Sequence, residues 1–215
     1  MALGRSDELA DLIEPVRETL DAAHRAREVG LAACRRTIRA CGQAIRAVHR
    51  GEAERVASFT TEAAEALREA QTVLRPHPAV AFAGFLHDAE KEYAEAVLTA
   101  ALVGGSSLPP PASVGVEPAA WLCGLCEAAS ELRRHLLDRL RAGETERAEA
   151  LLRGMEDVYD LLVTVDYPDA LTVGLRRSTD ALRAVLERSR ADLTTTLIQA
   201  RLQAALEERV PRAVD

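Results

Sequence analysis

Apolar residues recur at intervals of three and four along almost the whole chain, the period of amphipathic helices, and no stretch shows the strict alternation of a half-buried strand. The first such run covers residues 7 to 50, with Ser6 placed as its N-cap and Gly51 at its end. Pro15 falls near its first turns, or breaks it there. Leu31, Cys34, Ile38, Cys41, Ile45 and Val48 share one arc, which predicts the face turned to the core. A second helix is predicted over 52 to 74, where Val56, Phe59, Ala63, Ala66, Leu67 and Ala70 keep helical spacing. Arg75 to Pro78 punctuate the chain, because each proline biases its predecessor away from the helical region. A third helix is predicted over 79 to 103.

Residues 104 to 118, GGSSLPPPASVGVEP, form the clearest loop, since glycines, serines and three consecutive prolines cannot continue a helix. It reads as a surface connection and not a domain boundary, because neither half alone has a better core. A fourth helix runs from Pro118, suited to a first turn, to Arg141, with Gly143 beyond. A fifth is predicted over 144 to 164, DYPDA breaks the pattern, and a last helix over 169 to 208 carries Leu171, Leu175, Leu182, Val185, Leu186, Leu193 and Leu197. There is no internal repeat of fixed period. The expectation is an all-α, single-domain bundle over residues 1 to 215.

Composition supports packed helices. Apolar residues make up 48% of the 215, enough for a sizeable core, while the aromatics that enrich strands are only 3%. No uncharged apolar run is long enough to cross a membrane, and the acidic start MALGRSDELADL lacks the apolar stretch of a signal peptide. A soluble, cytoplasmic protein is expected. Cys34, Cys41, Cys123 and Cys126 suit reduced, buried thiols better than a disulfide frame in a chain this long. The net charge of −7 does not advertise nucleic-acid binding, yet seven arginines and one acid, Glu28, lie between Arg25 and Arg50. At about 100° per residue Arg35, Arg39, Arg46 and Arg50 fall within an arc of about 60°. They form a local basic ridge, either a phosphate track or a solvated face paired to Glu54, Glu62, Glu65 and Glu69 of the second helix. Lys91 is the one lysine of the chain.

Candidate chemistry sits in residues 84 to 97, GFLHDAEKEYAEAV, with Asp88, Glu90, Glu92 and Glu95. Glu92 and Glu95, at i and i+3, point the same way. The fourth helix, WLCGLCEAASELRRH, offers a partner pair in Glu127 and Glu131, at i and i+4. Cys126 and Ala128 flank Glu127, and burying that carboxylate without a cation would be costly. Two helices each presenting paired carboxylates can hold a hard cation such as Mg²⁺ or Mn²⁺, although helix salt bridges use the same spacings.

Four segments in order resemble the translin family, within it the translin-associated factor X branch and its archaeal relatives. They are the arginine-rich helix ending in IRAVHRGE (45 to 52), EYAEA (92 to 96), WLCGLCEAASELRR (121 to 134) and DYPDALTVGLRRSTDALRAVLERSRADLT (166 to 194). The resemblance implies a fold of about seven helices assembled as a hollow oligomer, often an octamer, that binds single-stranded RNA or DNA. It also implies that this branch cuts RNA with Mg²⁺ held by acids facing the interior. Its Glu-x-x-Glu pair falls on Glu92 and Glu95, and its Asp-x-x-x-Glu pair on Glu127 and Glu131. Glu127 departs from the family's aspartate, and its extra methylene displaces the carboxylate by about 1 Å.

The expected function is therefore a metal-dependent endoribonuclease acting on single-stranded or small RNA inside a homo-oligomer. The alternative is a non-catalytic oligomer of the same family that binds single-stranded RNA or DNA. Glu92, Glu95, Glu127 and Glu131 would hold Mg²⁺ or Mn²⁺ and so carry catalysis, while Arg35, Arg39, Arg46 and Arg50 would bind the RNA backbone. Cys123 and Cys126, a C-x-x-C inside a helix, read as core packing ahead of a zinc site. His49 reads as a structural hydrogen-bonding group, His87 and His135 as neighbours of the acids that would suit a softer ion. Trp121 and Tyr93 read as core or interface, and Asp88 and Glu90 as surface or supporting residues.

Overall fold

The computed structural model describes residues 5–209. Among them it contains helices only: α1 (Arg5–Arg50), α2 (Ala53–Leu74), α3 (Pro78–Ala81), α4 (Phe85–Gly104), α5 (Pro111–Val114), α6 (Pro118–Arg141), α7 (Thr145–Leu162), α8 (Asp169–Thr172) and α9 (Leu175–Arg209). Six are long, and α3, α5 and α8 are single turns. None is long and apolar enough to cross a membrane.

Two predicted helices divide, the predicted cap falls inside its helix, and Pro15 is taken up within the first. Pro15 lies inside α1 without ending it. Residues 5 to 21 are all exposed, so water can satisfy the carbonyl that the proline leaves without a donor. The predicted third helix divides at Gly84, whose φ of +99° leaves the right-handed helical region. The predicted last helix divides at Val173 and Gly174, with φ of +44° and +88°. Asp169 Oδ1 accepts a 2.8 Å hydrogen bond from the Gly174 N–H and holds that bend. Ser6 lies within α1.

At the centre of the bundle α6 packs against α4, α7 and α9, and α1 packs against α2 and α4. Small residues permit these contacts. The buried face of α1 is Ala26, Gly30, Ala33, Cys34, Thr37, Ala40, Cys41, Ala44, Ala47 and Val48. It is rotated from the predicted arc, and Ile38 is 36% exposed. A Cβ on Gly30 would fall 2.8 Å from Leu74, so glycine sets the approach of α2. Larger aliphatics fill the other side, with Leu132, Leu136, Met155, Leu182 and Leu186 nearly inaccessible. The four cysteines are free and buried in this core. Burial pushes Cys34 up to about 11, and Cys41 and Cys126 to about 12, so these thiols stay protonated.

Contacts between α4 and α6 advance together: Glu90 meets Glu117, Gly124 meets Ala94 and Lys91, and Lys91 reaches Glu127. The two helices thus run side by side in the same direction. The chain between them must return along α4, whose 20 residues span about 30 Å. Residues 105 to 117 make this crossover, which explains a long proline-rich segment where a tight turn would not reach. It is tied down. Trp121 Nε1 donates to the Pro109 carbonyl at 3.0 Å, and Gln71 Nε2 donates both to Gly115 O at 2.9 Å and to Glu90 Oε1 at 2.7 Å. Glu90 is 4% exposed and also accepts from the Glu117 N–H at 3.4 Å. Of the two roles read for Glu90, surface and supporting, the structure leaves the supporting one.

Candidate metal centre and nucleic-acid interface

The parallel run of α4 and α6 brings their acids together. Oxygens of Glu92, Glu95 and Glu127 all lie within 4.8 Å of one another. The reason is the helix contact one turn earlier, where Gly124 lets α6 rest on the α4 backbone at Lys91 and Glu95. Glu95 is innermost, 8% exposed, while Glu92 and Glu127 are half-buried.

The electrostatics show what the cluster lacks. Burial, then the charges of Glu127 and Glu92, push the Glu95 carboxyl up to about 9. Burial and Glu127 raise Glu92 as well, against the lowering influence of Lys91. Three carboxylates this close cannot all ionise without added positive charge. One cation is already present: Lys91 Nζ lies 2.8 Å from Glu127 Oε1 and 3.6 Å from Glu92 Oε1. Burial works against its ammonium, but the hydrogen bond and charge of Glu127, with Glu92 and Glu95 beyond, outweigh it and hold its pKa above the usual range. Crowded, all-oxygen donors that favour a positive charge between them fit Mg²⁺ or Mn²⁺.

Glu131, one turn beyond Glu127, is not in that group. Its Oε2 lies 2.6 Å from His49 Nε2, near the end of α1. His49 Nδ1 lies 3.1 Å from His135 Nε2, their ring centroids 5.0 Å apart. A His49 ring that donates through Nε2 to the carboxylate and accepts at Nδ1 from the His135 Nε2–H satisfies both contacts. Burial, then His49, keep His135 below its usual range. The histidines therefore serve Glu131 and each other. Neither joins the three-carboxylate group, nor does His87. Arg134, close in sequence, is not the partner of Glu131.

All four ridge arginines, Arg35, Arg39, Arg46 and Arg50, are exposed. None makes an ion pair among the described residues; the pairing with α2 is made by Arg36, to Glu69 at 2.5 Å. On ideal geometry Arg46 and Arg50 lie about 60° and 100° around α1 from His49, so this end of the ridge is a short way around the helix from the His49–Glu131 contact. They also line a cavity of about 240 Å³ with Gln43, Glu52, Arg55 and Phe59. There Arg55 is held by Glu52 at 2.9 Å and lies over the Phe59 ring. Two unpaired guanidinium groups beside a cavity of that size suit a phosphate group.

Reasoning from sequence did not place His49 beside Glu131 or Lys91 between the helices. The solitary lysine, two residues from Tyr93 and one from Glu92, was the available signal.

No protein-family model matches the chain. An uncharacterized protein of Methanocaldococcus jannaschii is 25% identical over 183 residues, covering 84% of this chain and 81% of that one. The solved structures of AfC3PO, alone and in complex with duplex RNA, match with a TM-score of 0.78 and 30% identity, over 88% of this chain and 98% of theirs. Apo-NeC3PO matches with a TM-score of 0.77 at 16% identity, over 86% and 96%, which shows the fold.

Proposed function

The chain belongs to the translin/C3PO family, and from that premise we propose that it is a metal-dependent endoribonuclease that encloses RNA within a homo-oligomer. The observation that carries this reading is the convergence of Glu92, Glu95 and Glu127 from two helices, positions that the resemblance to translin-associated factor X also marks. A binding-only protein has no need of buried carboxylates crowded enough to hold a proton at neutral pH.

In this reading Glu92, Glu95 and Glu127 hold the ion, and Glu131, oriented by His49, stands at the edge of the same site. Bound there, Mg²⁺ or Mn²⁺ would supply a water of lowered pKa and positive charge for the scissile phosphate. Arg35, Arg39, Arg46 and Arg50 grip the flanking backbone independently of sequence. RNA as the ligand is supported by the relative AfC3PO, which binds duplex RNA. Assembly is supported by apolar side chains left uncovered on α1 and α9, among them Leu12, Leu20 and Leu202. A cytoplasmic location belongs to the same reading, supported by four free thiols.

The test is cleavage of labelled RNA, single-stranded and duplex, by wild type and Glu95→Ala with Mg²⁺, Mn²⁺ or EDTA. Cleavage should require the ion and fall by on the order of 100-fold or more in the variant. Cleavage indifferent to EDTA and to Glu95→Ala overturns the mechanism, and tight RNA binding without cleavage in either ion selects the binding-only oligomer.

A further inference from the structure

The placement of Lys91 has a meaning beyond its fit with a cation. Positive charge in this chain is carried by arginine everywhere except here, where the sole lysine lies among the proposed ligands. The side chain is 22% exposed and reaches across from α4 to Glu127 on α6, with Glu92 as its second neighbour. Glu127 and Glu92 are two of the three carboxylates that converge. An ammonium and a divalent ion drawing on the same two carboxylates, Glu127 and Glu92, repel each other in a half-buried site. Each therefore weakens the hold on the other.

We propose that Lys91 is a built-in competitor of the metal: its ammonium neutralises Glu127 and Glu92 in the ion-free protein, and a divalent cation must displace it to bind. This rests on the metal reading of the cluster. The residue type suits the role. A lysine head is a compact charge on a flexible four-carbon stem and can swing away, whereas an arginine fork would grip the carboxylate through two parallel hydrogen bonds. Lys91 would keep the α4–α6 contact intact without metal and set the concentration at which the site loads. The protein would thereby remain unloaded at low divalent concentrations that a bare carboxylate cluster would capture.

The arrangement orders three variants. Lys91→Met should bind Mn²⁺ on the order of ten-fold more tightly than wild type, because the competing charge is gone. Lys91→Arg should bind it more weakly than wild type. Free Mn²⁺ measured by electron paramagnetic resonance on the full chain, without RNA, reads both. A second measurement uses unaltered protein: Lys91 is the only lysine, so an acetylating amine reagent can mark only it and the N-terminus. Saturating Mn²⁺ should raise the labelling rate of Lys91 relative to the N-terminus, as mapped by peptide mass spectrometry. Equal Mn²⁺ affinity in wild type and Lys91→Met, or Lys91 labelling unmoved by bound Mn²⁺, overturns the competition and leaves the metal site standing. If neither wild type nor Lys91→Met binds Mn²⁺, the metal reading itself fails and takes this proposal with it.

Discussion

Gly124 and Ala94 touch so closely that a Cβ built on the glycine would lie 2.7 Å from the alanine's Cβ, and 2.9 Å from the Glu95 nitrogen. Backbone cannot yield as a flexible side-chain tip can, so Gly124→Ala must push α6 away from α4. The expected cost is about 1–3 kcal/mol, or about 2–4 °C of melting temperature for each kcal/mol. Mn²⁺ binding should weaken with it, since the same contact aligns Glu95 with Glu127. Gly154→Ala on α7 is the control: its Cβ would meet only Leu132 at 4.0 Å, and helix propensity should stabilise it by up to about 1 kcal/mol. Thermal unfolding and Mn²⁺ titration of both variants decide the matter; unchanged behaviour in Gly124→Ala would refute the close approach.

Glu95 gives the ion-free protein a pH dependence of definite sign. Burial and its acidic neighbours raise its carboxyl from 4.5 to about 9, so the folded state binds more protons than the unfolded one in between. The Glu95 contribution to stability without metal should therefore fall as pH rises from about 4.5 towards 9. Glu90 and Glu92, also raised, act in the same direction. His87 and His135 oppose it in the histidine range, because their lowered pKa values favour the folded state as pH rises. Glu95→Gln should flatten the slope without abolishing it. Melting temperatures in EDTA from pH 5.5 to 8.5 measure this, and a slope equal in wild type and variant would show that Glu95 ionises normally.

Along the first part of α1, Leu9, Leu12, Ile13, Val16 and Leu20 are each between 46% and 64% exposed. Their spacing makes one apolar stripe, which a protein-protein contact would cover. Leu12→Glu with Leu20→Glu should dissociate the assembly while leaving helicity intact. Light scattering behind a sizing column, paired with circular dichroism, would read both, and an unchanged mass would place the subunit interface elsewhere.

The unpaired arginines should act on RNA through charge alone. Arg39→Glu and Arg46→Glu are expected to weaken binding of unrelated RNA sequences alike and to lower the salt slope by about 1 for each phosphate no longer neutralised. Affinity measured from low to moderate salt tests this. Weakening confined to one RNA sequence, or none at all, would remove the ridge from the interface.

Helices were legible because their apolar period is strong, and the ends at Gly51, Pro118 and Gly143 carry chemical signals. The bend at Val173 was not, since nothing local marks a valine for positive φ; it is held by Asp169 from outside the pattern. The core face of α1 was misjudged because large aliphatics look like core. Close helix contact prefers alanine and glycine, which leave Ile38 at the margin. Glu92 with Glu95, and Glu127 with Glu131, could be found from spacing. That Glu131 turns to His49, 82 residues away, and Glu90 to Gln71 depends on tertiary packing that no local spacing encodes.

Glu90 bears on how an ion would enter. It fastens the start of α4 to Gln71 of α2 and to the backbone at the start of α6. The two ligand-bearing helices are thus locked at their leading ends by contacts that owe nothing to metal. Loading the site asks side chains to rotate, not helices to rearrange. Capture should then be paced by the ion shedding its own water shell, with little change in the shape of the protein.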